Sequence, residues 1–121
     1  MKRRDDRLLV EDMLSAIKQI ERYIEGVSFE DLCHDRMRQD AVVRQLEIIG
    51  EAARLLSEEF RNQYPHIPWQ DIIGMRHKLT HDYFEVDLRI VWDTVQFDLP
   101  QLKEWLQEIL ERSSLMNQST N

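Results

Sequence analysis

Ten consecutive residues, Gly74-Met75-Arg76-His77-Lys78-Leu79-Thr80-His81-Asp82-Tyr83, hold two of the chain's four histidines together with an arginine, a lysine and a tyrosine. Arg76 offers a planar fork of donors that matches a phosphate. His81 is a group that exchanges a proton near neutral pH. Together they suit attack of a ribose 2′-hydroxyl on the adjacent phosphodiester. That reaction needs a base for the hydroxyl, an acid for the leaving 5′-oxygen and a cation for the charge that grows on phosphorus. Proton transfer by positioned side chains contributes about 10²–10⁴-fold, and charge stabilisation is usually the larger share. No metal is required. The plain alternatives for the same residues are a solvated arginine and a histidine that caps a helix end.

His77 and Lys78 flank the pair as supporting polar groups. His77 and His81 are four apart, share a helix face and could hold a metal. No glutamate stands between them in the two-histidine hydrolase pattern, and no third ligand follows at short spacing, so neither a metal nor any other cofactor is expected. Cys33, the single cysteine, reads as a small apolar side chain rather than a nucleophile. There is no glycine-rich phosphate loop. Gly50 lies inside a helical pattern, where it permits close approach of a neighbouring helix. His34 and His66 read as loop or surface residues. Trp69, Trp92 and Trp105 fall at core-compatible spacings, and no stretch interleaves aromatic and basic residues into a platform for reading bases.

The elements that must position these residues are helices. Leu9, Met13, Ile17, Ile20 and Ile24 form one apolar stripe and predict a helix from about Asp6 to Ile24, ended by Gly26. Ser28 followed by Asp31 predicts a capping box opening a short helix. Val42, Leu46, Ile49, Ala53, Leu56 and Phe60 predict a helix from about Arg36 to Phe60. A loop over 62–68 holds Pro65 and Pro68. A third long helix starts near Pro68 and runs to about Tyr83. A fourth, from about Val86, carries Trp92, Val95, Leu99, Leu102, Leu106 and Ile109, and Pro100 must kink or split it. No period-two strand pattern of useful length occurs. The fold class is all-α: an antiparallel bundle of four to five helices, with one domain over 1–112 and a flexible polar tail over 113–121.

With 121 residues, the chain is the size of one domain. Apolar residues at 42% and charged residues at 32% mark it as globular. A net charge of −7 argues against a general coat for nucleic acid or anionic membranes. It leaves room for a small basic site on an acidic body. One cysteine and no apolar run of signal or membrane length lead to the expectation of a cytoplasmic protein with no membrane partner.

Arg76-x4-His81-x-Tyr83 resembles the R-x4-H-x-Y motif of the HepT-like proteins of the HEPN superfamily, the toxin halves of HepT–MntA (type VII) toxin–antitoxin modules. Residues 40–52 (DAVVRQLEIIGEA), Pro65-His66-Ile67-Pro68-Trp69, Val91-Trp92 and Asp98-Leu99-Pro100 agree with that family in the same order, so the likeness spans about residues 8 to 110. The resemblance implies a HEPN bundle that forms a homodimer, metal-independent endoribonuclease activity on RNA, and catalytic roles for Arg76 and His81. It further implies an MntA-like minimal nucleotidyltransferase antitoxin that transfers AMP from ATP onto Tyr83. A polar residue, often asparagine, commonly follows the motif arginine; here it is His77. In an ideal helix Arg76 and His81 would be about 140° apart around the axis and about 7.5 Å along it. One helix therefore aims them poorly at a single target, whereas two copies across a two-fold axis would bring both pairs together. The competing reading is a non-catalytic helical module that docks a nucleotidyltransferase and presents Tyr83 to it, a role the acidic charge suits.

Overall fold

The computed structural model describes residues 4–79 and 85–119, with side chains as far as 114. Among the described residues the regular elements are helices, with no strand: α1 (Asp6–Ile24), α2 (Phe29–Cys33), α3 (Arg36–Leu55), α4 (Glu58–Asn62), α5 (Trp69–Ile73), α6 (Met75–Leu79), α7 (Leu88–Asp93), a π-helical turn (Thr94–Asp98) and α8 (Leu99–Ser119). The all-α reading holds. Three long helices make the frame and short ones decorate it.

Helix α1 lies between α3 and α8 and runs antiparallel to both. Its N-terminal Asp6 reaches Ser57, just past the end of α3, with the Ser57 N–H and hydroxyl donating to the carboxylate at 2.9 and 2.8 Å. Against α8, Lys103 near that helix's start donates to Glu21 at 3.0 Å, and Arg7 near the start of α1 donates to Ser113 Oγ at 3.0 Å. The expected stripes supply the core. Leu9, Met13, Ile17 and Ile20 of α1 meet Val42, Leu46, Ile49 and Ala53 of α3 and Leu102, Leu106 and Ile109 of α8, all buried. Each large aliphatic chain so buried contributes roughly 1.5–3 kcal/mol.

The boundaries of α1 and α2 match the sequence reading. Gly26 takes φ 73° just past α1, and Ser28 and Asp31 form the capping box. Other boundaries differ for visible reasons. The helix expected to reach Phe60 stops at Leu55, because the Asp6 carboxylate engages Ser57, whose hydroxyl also accepts the Phe60 N–H and starts α4. The apolar stripe passes through the break in phase, so periodicity alone does not reveal it. The third helix is broken at Gly74: its N–H closes α5 on the Gln70 carbonyl, and its own carbonyl opens α6 by accepting from His77 and Lys78. Near Pro100 the expected helix is divided by a π-helical turn, Thr94–Asp98, into α7 and α8. Pro100 cannot donate to Gln96, and the preceding turn widens so that the Leu99 N–H reaches the Thr94 carbonyl. At the other end, α8 continues through 113–119, an extent that the polar composition there does not announce.

Candidate active site

Helix α6 carries Arg76, His77 and Lys78, all exposed, while Met75 and Leu79 on its other face are buried. Its seat against α3 depends on Gly50. A Cβ at that position would lie 3.1 Å from the Ile72 carbonyl oxygen, 3.6 Å from that of Ile73 and 3.9 Å from Met75 Cβ. The backbone at the junction of α5 and α6 therefore lies directly on the α3 backbone, the close approach expected of this glycine. Trp69 anchors the other end of α5, buried, with its indole N–H donating to the Tyr64 and Arg61 carbonyls at 3.1 and 3.2 Å.

Arg76 stands on this rigid seat without a carboxylate partner among the described residues, in contrast to Arg4, Arg7, Arg36, Arg38, Arg54 and Arg89. An unpaired guanidinium on a chain of net charge −7 is available to a phosphate. Lys78 is two residues further, about 200° around the helix, and its ammonium lies 3.7 Å from Asp98 of the π turn. The structure thus places it as a tie between α6 and the start of α8. His77 is exposed on the same short helix.

His81 and Tyr83 lie outside the described residues, as does the stretch over which the third helix was expected to run on to Tyr83. The two residues that bracket this stretch are joined: the Asp87 N–H donates to the Leu79 carbonyl at 2.7 Å. The N-cap residue of α7 therefore lies against the end of α6, one turn past Arg76. Among the described residues no group of three or more His, Cys, Asp or Glu side chains converges as a metal site would require, and no helix is long and apolar enough to cross a membrane.

Beside α6 lies a cleft of about 350 Å³ between α5, α6, the π turn and α8. Its lining includes Lys78, Asp98 and Phe97, and Phe97 is 74% exposed. Phe97 lies in the widened turn before Pro100.

Sequence reasoning missed a second grouping. Phe60 and Tyr64 rings lie 5.2 Å apart, His66 meets Tyr64 and Trp105 edge-on at 6.5 and 5.8 Å, and the Arg112 guanidinium lies 5.9 Å from the Tyr64 ring centre. An aromatic and basic cluster does exist, but its members come from α4, the following loop and α8. No local run could have announced it.

The family model for ribonuclease HepT-like proteins matches residues 13–109. The chain is 44% identical over 101 residues to the "Probable ribonuclease HepT" of Thermococcus cleftensis, an alignment covering 84% of this chain and 92% of that protein. It is 42% identical over 106 residues to the "Putative RNase TTE0752" of Caldanaerobacter subterraneus subsp. tengcongensis, covering 88% of this chain and 95% of the relative. No solved structure matches. A matched span that runs from the first long helix through Arg76 and on into α8 takes in the whole frame and the seat of the candidate site, and the chain belongs to the HepT-like ribonuclease family.

Proposed function

We propose that this protein is a metal-independent endoribonuclease, the toxin of a HepT–MntA type VII module, with Arg76 and His81 as its catalytic residues at a homodimer interface. The observation that carries this reading is the placement of Arg76. It is exposed, without a carboxylate partner among the described residues, on a helix seated against α3 at Gly50, and His81 follows it five positions later in the sequence.

One imidazole takes the proton of the ribose 2′-hydroxyl as O2′ attacks phosphorus. The two arginines, one from each chain, carry the negative charge of the phosphorane. The second imidazole gives its proton to the 5′-oxygen as the P–O5′ bond breaks. The products are a 2′,3′-cyclic phosphate and a 5′-hydroxyl. Phe97, exposed beside α6 at the apolar cleft lined by Ile72, Met75, Leu99 and Leu102, is the residue with which the proposed second copy would make contact on this side.

An MntA-like nucleotidyltransferase would neutralise the enzyme by moving AMP from ATP onto the Tyr83 hydroxyl. The added phosphate would pair with the nearby guanidinium and occupy the place of the RNA phosphate. The net charge of −7 is the observation that favours the second reading, a docking module without catalysis. The two are separated by incubating RNA with purified protein in the presence of a chelator. Cleavage that is lost in Arg76→Ala and in His81→Ala, and slowed after AMP transfer to Tyr83, supports the enzyme. RNA left intact by a folded, unmodified protein supports the module.

A further inference from the structure

The geometry points to a second nucleotide-binding site, distant from Arg76, at the end of the bundle where α1 begins and α8 approaches its end: one phosphate-bearing nucleotide unit held by Arg7 and Arg112, with its base on the Tyr64 ring. The cleft there has a volume of about 620 Å³. Its polar lining consists of Arg7, Arg112, Gln63, Tyr64 and Ser113, and its apolar wall of Phe60, Ile109 and Leu110. Among the described residues no carboxylate is part of its lining, although acidic residues outnumber basic ones 23 to 16 in the chain; Glu11 stands behind Arg7, 3.3 Å from its Nε.

The two guanidiniums are held differently. Arg7 donates through Nη1 to Ser113 Oγ at 3.0 Å and through Nε to Glu11 at 3.3 Å, which fixes the plane of its fork. Arg112 is exposed, has no carboxylate partner among the described residues, and lies over the Tyr64 ring at 5.9 Å. Tyr64 is itself packed edge to face in the row that runs through His66 to Trp105. Fixed aromatic rings and arginine planes are the surfaces on which unpaired bases stack, and two arginines lining one cleft can both donate to a phosphate bound in it. Lys78 ties α6 to Asp98 at the head of α8, and Arg112 is thirteen residues past Leu99, about 20 Å further along that helix. The cleft is therefore not an extension of the cleavage site.

A nucleotide within an RNA strand and a free mononucleotide share this chemistry. As a strand anchor, the site rests on the reading that the protein acts on RNA. The test therefore uses probes that cannot be cleaved: a 2′-O-methyl oligoadenylate of about twelve nucleotides, followed by fluorescence anisotropy, and AMP, followed by calorimetry. Arg112→Gln is expected to weaken binding about tenfold and to lower the log–log salt slope for the oligonucleotide by about 0.7. Arg112→Lys should keep the slope, and Tyr64→Leu should weaken binding about tenfold by removing the stack. Weakening of the oligonucleotide alone identifies a strand anchor, of AMP alone a mononucleotide site, and of both a site open to either. Unchanged affinity for both probes and an unchanged slope in Arg112→Gln, whose exposed position cannot threaten folding, overturn the proposal. Cleavage assays do not enter, so a protein that binds here but cuts nothing refutes only the catalytic reading.

Discussion

Replacing Gly50 with alanine tests whether the seat of α6 matters as the structure implies. In an exposed helix, glycine to alanine adds about 0.8–1 kcal/mol of stability through backbone propensity. Here the new methyl group would sit 3.1 Å from the Ile72 carbonyl oxygen and 3.6 Å from that of Ile73. Both are backbone atoms of α5, so no side chain can swing aside, and α5 with the head of α6 must shift by a few tenths of an ångström. Overpacking of this kind costs about 1–3 kcal/mol. The net expectation is a loss of up to about 2 kcal/mol in place of the usual gain. The shift falls on the element that carries Arg76, and small displacements of a catalytic group have large rate effects, about 10²-fold for 1 Å. RNA cleavage should therefore fall about tenfold even where the variant is fully folded. Urea unfolding gives the first quantity and initial cleavage rates at a temperature well below the melting point give the second. A variant stabilised by about 1 kcal/mol with unchanged cleavage would refute the reasoning.

Ser57→Ala removes the cap of α4 and the hydroxyl that donates to Asp6 at 2.8 Å; urea unfolding should show a loss of about 1–2 kcal/mol. Hydrogen bonds from the Ser28 backbone and hydroxyl hold the Asp31 carboxyl below its ordinary value of 3.8. Because folding lowers this pKa, the contribution of Asp31 is complete well above 3.8 and disappears as pH falls through the lower folded value. The stability gap between the parent protein and Asp31→Asn should thus be constant from neutral pH down to about 5 and close in stronger acid. On the proposed homodimer, Phe97→Asp should shift the protein toward monomer in sedimentation equilibrium with its helical circular dichroism intact; a dimer as tight as the parent's would remove Phe97 from the proposed interface.

Most of the frame was legible because the apolar stripes are long and regular. Leu9 through Ile20 and Val42 through Ala53 each mark a face that is buried as expected, with Ile24 half-buried at the end of its stripe, and Ser28 with Asp31 fixed a short helix by local chemistry alone. The breaks were harder to see. At Ser57 a carboxylate 51 residues away ends the helix, and a tertiary partner leaves no trace in periodicity. At Gly74 a single glycine could be read as tolerated within a helix. Pro100 did announce a disturbance, but whether the chain kinks, splits or widens depends on how Thr94 and Val95 pack. As for the candidate site, Arg76, His77 and Lys78 were legible as one local run, and α6 carries all three exposed. The grouping of Tyr64 with Arg112 was invisible because 48 positions separate its members.

The most direct test of metal-free cleavage uses a short RNA with a single ribose linkage in an otherwise deoxy strand, incubated with purified protein and excess chelator. The account predicts one cut, at that linkage, leaving a 2′,3′-cyclic phosphate and a 5′-hydroxyl, with no cut by Arg76→Ala or His81→Ala. Cleavage that requires added divalent metal, that leaves a 5′-phosphate, or that survives both substitutions would contradict it.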